Sequence, residues 1–244
     1  NTDLSHNLWV ATQGYLCRYD GSQWTIVDSS FSTVSGYRDF NIQTCDANGY
    51  VWGTDPNRTA FYRYGSGTWT TLPLTALPFP SYQWMIIGND LLGNVYFRGL
   101  SAYSTPANIS VLYQYDGNTF TLLDSTGSSG APLSVRMDST LTIWIARADG
   151  RMSSIDATGR IDYTESDLAT IPNYHCQEVA FDKEDHTWVL AEDIARVFQD
   201  SVENISITFP DEGSPLTDVQ TDTNDVVWVS RYLNSDENHH SCIA

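Results

Sequence analysis

The chain has 244 residues, with 30 Asp and Glu against 12 Lys and Arg and a formal net charge of -18. That balance argues against nucleic acid or an anionic membrane surface as a partner, since either needs clustered cations to displace counterions. No run of about 18 apolar residues occurs, so no helical membrane span is expected, and the length suffices to bury a core without staples.

In chain order the first strand-like stretch is Leu8-Trp9-Val10-Ala11-Thr12. It recurs as Val51-Trp52-Gly53-Thr54, Val95-Tyr96-Phe97, Ile143-Trp144-Ile145-Ala146, Thr187-Trp188-Val189-Leu190 and Val227-Trp228-Val229-Ser230. Six residues before each aromatic stands an aspartate: Asp3, Asp46, Asp90, Asp138, Asp182 and Asp222, spaced by 43, 44, 48, 44 and 40 residues. The second unit is the fullest. Asn41 to Cys45 leads through the turn Asp46-Ala47-Asn48-Gly49 into Tyr50 to Thr54, then Ala60 to Tyr64, then Trp69 to Leu72. Each run is short, β-branched or aromatic, and bounded by turn residues, which predicts a four-stranded meander. A second motif spans the outer turn: Tyr19-Asp20-Gly21-Ser22-Gln23-Trp24, then Tyr64 to Trp69, then Tyr115 to Phe120, with Ile155 and Arg160 keeping the spacing without aromatics. Asp-Gly between strands is a strong hairpin signal because Gly accepts the positive φ of a tight turn.

Repeats of 40–45 residues with four strands each predict an all-β chain, a β-propeller of six repeats of a four-stranded antiparallel meander, read as one domain over residues 1–244. One meander cannot bury both faces, so blades must stack. The repeat tryptophans Trp9, Trp52, Trp144, Trp188 and Trp228 are expected to fill the space between blades. The six aspartates are expected to accept main-chain hydrogen bonds in their turns. Calcium at Asp222 and Asn224-Asp225 is the alternative for one of them, but needs six or more converging oxygens.

The pattern Asp-x-x-Gly-x-Leu-Trp-Val-x-Thr followed by Tyr-x-Tyr-Asp-Gly resembles the two-component regulator propeller repeat of bacterial sensor domains and other extracellular propellers. The resemblance covers all six units at the Asp and aromatic positions. The turn glycine, however, is kept only at Gly49 and Gly93, and the strand-ending threonine only at Thr12 and Thr54. It implies a propeller fold and an extracytoplasmic setting, and no particular ligand. The chain is more weakly similar to tectonin-type lectin propellers, in general architecture alone.

The ends are less regular. The sixth unit has strands from Leu216 to Thr221 and Val226 to Arg231, leaving Tyr232 to Ala244 for the rest of its blade. Six blades closed through both termini are expected, with five blades as the alternative. A trimmed or strand-donating chain, completed by a neighbour, competes with closure. A Cys17–Cys242 disulfide would staple the ring at that point. Cys45 and Cys176 are expected to be buried as small hydrophobes. Sequons at Asn57, Asn108 and Asn204, all in predicted loops, point to a glycosylated extracellular or cell-surface protein.

Loops from the second to the third strand, and from the fourth strand to the next blade, fall on one face of a propeller. Here they are long: Asp28 to Asp39, Leu74 to Ser81, Gly99 to Asn108 and Asp167 to Asn173. Binding is expected on that face. Trp84 is the tryptophan the repeat does not explain, and Tyr37, Arg38, Tyr82, Trp84, Tyr174 and His175 would gather there as a seat for a sugar, unless Trp84 plugs a packing gap. Arg136, Glu178 and Asp218 share the parity that aims inner-strand residues at a central channel, as a paired network or a charged-ligand site. His239-His240 read as a solvated tail. No catalytic motif, metal site or cofactor is expected; a carboxylate pair for glycoside cleavage stays open as the enzymatic alternative. The expected function is therefore non-catalytic binding of a glycan or extracellular protein in adhesion or assembly. The alternative is a structural subunit of an extracellular polymer, self-assembling through the termini. Glycans on Asn57 and Asn108 would partly block the expected pocket.

Overall fold

A computed structural model describes the chain except residues 2, 4, 13, 37–38, 82, 102–108, 164–177, 183–185, 191–193, 199–200, 206–215, 222–225, 232–240 and 244, and except the side chains of 128, 194–195, 197–198, 201–205, 216–218, 230–231 and 241–243. It is all-β. Two compact units, Asn1–Ser125 and Thr126–Ala244, divide the chain.

The first unit begins with an antiparallel sheet of β1 (Leu8–Thr12), β2 (Tyr15–Tyr19) and β3 (Trp24–Asp28), followed by the five-residue helix α1 (Phe31–Ser35). The second sheet is β4 (Asn41–Cys45), β5 (Val51–Thr54), β6 (Ala60–Gly65) and β7 (Thr68–Pro73), and the third is β8 (Gln83–Asn89), β9 (Val95–Leu100), β10 (Ile109–Tyr115) and β11 (Phe120–Gly127). The second unit repeats the plan. Its sheets are β12 (Pro132–Met137), β13 (Ile143–Arg147), β14 (Met152–Asp156) and β15 (Gly159–Tyr163); then β16 (Glu178–Phe181), β17 (Thr187–Leu190), β18 (Ile194–Phe198) and β19 (Ser201–Ile205); then β20 (Leu216–Thr221), β21 (Val227–Arg231) and β22 (Ser241–Ile243). Neighbouring strands follow each other in sequence, as a meander requires. A one-residue bulge recurs on the first strand of the second, third, fourth and sixth sheets, between Ile42 and Thr44, Ile86 and Gly88, Pro132 and Ser134, and Leu216 and Asp218. Such a bulge resets which residues face which side.

Period-2 alternation builds the core between sheets. Val51 and Trp52 point to opposite faces of the second sheet. Val51, Tyr62 and Tyr64 share a core with Trp9 and Leu16 of the first sheet, whereas Trp52 and Phe61 share one with Val95, Phe97 and Val111 of the third. The segment from Asp28 to Asp39 is more than an open loop, because α1 drops Phe31 into the first of these cores, against Phe40, Tyr62 and Trp69 at 4.8–5.0 Å between ring centres. In the second unit Ala180 and Leu190 pack with Val219 and Val229.

Each of the five repeat aspartates among the described residues also does more than hold its turn. Asp46 accepts the main-chain N–H groups of Asn48 and Tyr50 on Oδ1, while Oδ2 accepts the Trp52 Nε1–H at 2.7 Å. Asp3 with Trp9, Asp138 with Trp144 and Asp182 with Trp188 repeat this latch at 2.8, 2.8 and 3.0 Å. In the third unit the Tyr96 hydroxyl donates to Asp90 at 2.7 Å instead. The residue paired with the tryptophan on the next strand is Arg18, Arg63 or Arg196, and its guanidinium lies 6.0, 5.3 or 5.7 Å from the ring centre of Trp9, Trp52 or Trp188. That distance is within reach of a cation–π attraction.

Two tryptophans of the repeat are exposed, and at Trp228 this overturns the expected burial. Trp24 is 57% exposed on the first sheet of its unit and Trp228 is 42% exposed on the last sheet of its own. Cys45 is buried as expected, Cys176 lies outside the described residues, and Cys17 is a half-buried free thiol on β2. The structure thus gives the Cys17–Cys242 staple no support; the Cys242 side chain is not described.

Candidate binding site

The site grows from the loop after β5. Asp55 is wholly buried and its carboxylate accepts the Asn57 and Thr59 N–H groups at 2.8 and 3.1 Å and the Thr59 hydroxyl at 2.6 Å. The Arg58 N–H donates to the Asp55 carbonyl at 3.0 Å, closing a turn in which Arg58 takes the left-handed conformation, φ 53°. Non-glycine residues adopt that conformation rarely, and here the surrounding hydrogen bonds fix it. The Ser81 hydroxyl has the carbonyls of Gln83 and Leu100 in reach of its single proton, at 2.7 and 2.5 Å, and accepts the Gln83 N–H, pinning the start of β8. Trp84 then lies flat over Gly99, where an added Cβ would come within 3.0 Å of the indole. That close approach is why the position takes glycine.

Between these elements lies a cavity of about 240 Å³, lined by Thr54, Asn57, Arg58, Phe61, Leu74, Gln83 and Trp84. That is room for about eight water molecules at roughly 30 Å³ each, and lies below the roughly 300 Å³ at which drug-sized pockets begin. One sugar ring or one amino-acid side chain matches that volume. Its apolar lining is Phe61, Leu74 and Trp84, and its polar lining is Thr54, Gln83, Asn57 and Arg58, the last two exposed. Such a surface stacks an apolar face and hydrogen-bonds a ring of hydroxyls.

Of the residues expected to form a sugar seat, Trp84 lines this cavity. It is only 4% exposed, so it presents an edge and belongs to the core, rather than standing as an open platform. Tyr37, Arg38, Tyr82, Tyr174 and His175 lie outside the described residues. Arg136 is in the second unit, where it pairs with Glu178 at 2.7 Å, and Glu178 also accepts the Ser134 hydroxyl at 2.5 Å. This joins neighbouring first strands β12 and β16, the paired arrangement of the two expected; the Asp218 side chain is not described. Asn57 is exposed at the cavity rim, Asn108 is outside the described residues, and Asn204 falls within β19, paired with Ala195, rather than in a loop. The run Ser201-Val202-Glu203-Asn204-Ile205 has β-forming residues enough to extend the hairpin through the sequon. Thr54, Arg58 and Gln83 were not legible beforehand: the sequon marked Asn57 alone, and nothing in composition betrays the left-handed turn at Arg58.

Acidic groups here answer to the main chain more than to cations. Burial pushes the Asp3 and Asp182 carboxyls up, but their hydrogen bonds, led by Trp9 for Asp3 and the His186 N–H for Asp182, outweigh it and hold both below the usual range. At Asp46 burial wins over the Trp52 bond, and the carboxyl sits above it. Burial also pushes the Cys45 thiol up to about 12. Among the described residues no group of three or more His, Cys, Asp or Glu is placed to hold a metal, and the turn at Asp222 falls outside them.

These sheets and cores define an all-β protein of antiparallel, mostly four-stranded sheets, and the solved structures it is similar to are β-propeller proteins. No protein-family model matches the sequence, and no curated protein matches it. A streptogramin B lyase aligns with 99% of this chain and 80% of its own at 13% identity, TM-score 0.63. The extracellular domain of a hybrid two-component system from B. thetaiotaomicron covers 98% of this chain at 13% identity, TM-score 0.58, with 32% of its own length. YCF48 bound to a D1 peptide covers 94% of this chain and 75% of its own at 15% identity, TM-score 0.54. At such identities the likeness is one of fold.

Proposed function

We propose that this protein is a non-catalytic, extracellular binding module whose cavity beside Trp84 seats one sugar unit of a glycan. The observation that carries the reading is the cavity in which Trp84, Phe61 and Leu74 supply apolar lining beside the hydroxyl and amide groups of Thr54, Gln83 and Asn57. Carbohydrates need this combination, since their ring hydrogens pack on apolar surface while their hydroxyls need partners. The extracellular setting of one similar structure supports the location. The names of the similar structures, a lyase and a peptide complex among them, favour no single chemistry. We further propose that the six sheets are six blades of one ring; a radius of gyration near 18 Å in small-angle scattering, the value for a compact chain of this length, would support that.

The test is binding of the purified, enzymatically deglycosylated protein to a glycan panel, followed by titration of each hit against Gln83→Ala. Gln83 lies on the rim, and its loss should weaken binding several-fold while leaving the unfolding midpoint in place. Unchanged affinity in a folded variant would move the seat elsewhere on the molecule.

A further inference from the structure

From the same cavity, and resting on the reading of it as a glycan seat, we propose that the sugar it selects carries a carboxylate, as a uronic acid does, and that Arg58 is the residue that recognises it. The chain has 30 acidic residues and 12 basic ones, so an arginine whose guanidinium has neither an ionic nor another polar or ring partner stands out. The other arginines with described side chains are engaged. Arg18, Arg63 and Arg196 lie over tryptophans, Arg98 donates to the Met85 sulfur, Arg136 pairs with Glu178, Arg151 with Asp149 and Arg160 with Asp162, and Arg147 donates to Ser153 and the Gly130 carbonyl.

Arg58 differs. It is exposed at the cavity rim, and its guanidinium has no carboxylate, carbonyl or ring partner among the described residues. The carboxylate nearest in sequence cannot serve, because Asp55 is wholly buried and its oxygens are taken by Asn57 and Thr59. The same three bonds hold Arg58 in its left-handed conformation, so the turn is locked before any ligand arrives. A guanidinium offers two parallel N–H donors that match the two oxygens of a carboxylate, and the apolar wall a few residues away accepts the sugar ring that bears it. A neutral sugar would be served by Gln83, Thr54 and Asn57 alone. The net charge of -18 works against an anionic ligand at long range, so recognition must be by contact, and specificity should survive moderate salt, which screens the general repulsion as well as the pair.

The experiment is calorimetric titration with two matched oligosaccharides, one carrying glucuronate and one carrying glucose at the same position, on the deglycosylated wild type and on Arg58→Ala and Arg58→Lys. The glucuronate ligand should bind wild type roughly tenfold to a hundredfold more tightly than its neutral match, as a charge-assisted bond predicts. In Arg58→Ala that ratio should fall to about one, and in Arg58→Lys to an intermediate value, with unfolding midpoints unchanged because Arg58 is exposed. Binding of the neutral ligand with no preference for glucuronate would overturn the Arg58 assignment and leave the glycan reading standing. Binding of neither would overturn both. Binding of an acidic peptide in place of both sugars would likewise overturn it, and assign the cavity to a protein partner.

Discussion

Asp46→Asn tests the latch that defines the repeat. Asp46 is 2% exposed; Oδ1 accepts the Asn48 and Tyr50 N–H groups at 2.9 and 3.0 Å, and Oδ2 accepts the Trp52 indole N–H at 2.7 Å. Asparagine has one oxygen for these two sets of donors. With that oxygen on the main chain, its new NH₂ confronts the buried indole N–H; with the amide reversed, two main-chain donors are stranded. Losing a hydrogen bond to a charged acceptor costs about 1.5–3 kcal/mol, and a buried donor left without a partner about 1–3 kcal/mol. The two figures overlap in part, and relief of the buried charge, whose carboxyl burial already pushes up, offsets some of the loss. A net destabilisation of about 2–3 kcal/mol is expected, or a midpoint lowered by roughly 5–10 °C for a protein of this size. The sharper assay is a double-mutant cycle with Trp52→Phe, followed by circular dichroism in urea. Removing the indole donor also removes the donor–donor conflict, so the double variant should be more stable than the sum of the singles predicts by about 1–2 kcal/mol. Additivity within about 0.5 kcal/mol would refute the latch as an energetic unit.

Acid should unfold the protein late. The carboxyls of Asp3, Asp149, Asp162 and Asp182 are held low, so the stability they contribute is present above the unfolded value of about 3.9 and lost as pH falls through their folded values. Asp46, raised, has the opposite sign: its contribution is present below about 3.9 and is lost as pH rises through its folded value. Melting curves should therefore be flat from about pH 7 to pH 5 and fall below about pH 4; a loss complete by pH 5 would contradict this. Cys45, buried and with its thiol raised to about 12, should resist iodoacetamide at about pH 8 in the folded protein and react only after denaturant is added, as peptide mapping would read. Gly53→Ala would bring a Cβ within 2.1 Å of the Asn41 carbonyl oxygen, so it should destabilise by about 3 kcal/mol or more or prevent soluble expression. Gly99→Ala, with its Cβ at 3.0 Å from the Trp84 indole, should push that ring towards the cavity, lowering affinity for any cavity ligand at a modest cost in midpoint.

The repeat period was plain in the sequence because the meander is dictated by alternation and by turns. Asp46 to Gly49 and Tyr115 to Phe120 read as turns and fold as turns. Half of the aspartate's role escaped, because Oδ2 and the indole six residues on meet only once the strand leaves its turn at a fixed angle. Trp84 stood out as the tryptophan without a repeat position, and it does line the cavity, but its burial depends on the bare Gly99 beneath it, which no local pattern announces. Arg58 was invisible for a related reason. Its proposed role rests on its having no partner among the described residues, and partners are set by the fold. The expectation of burial at Trp228, drawn from its counterparts at the same repeat position, failed: its ring is 42% exposed, while Tyr96 at the matching place is fully buried.

The latch between an aspartate and an aromatic donor six residues later is complete within a single turn and strand. A segment of DNA encoding one such unit therefore carries the whole corner with it when copied, and no matching change elsewhere in the gene is needed for the new copy to fold its turn. Only the sheet faces must then be fitted to new neighbours. Tyr96 standing where other units have tryptophan shows how little the corner demands in return, a hydroxyl serving as well as an indole so long as it donates to Asp90. An architecture whose joints are written locally can drift in every residue between them while the count of its units grows or shrinks by whole steps.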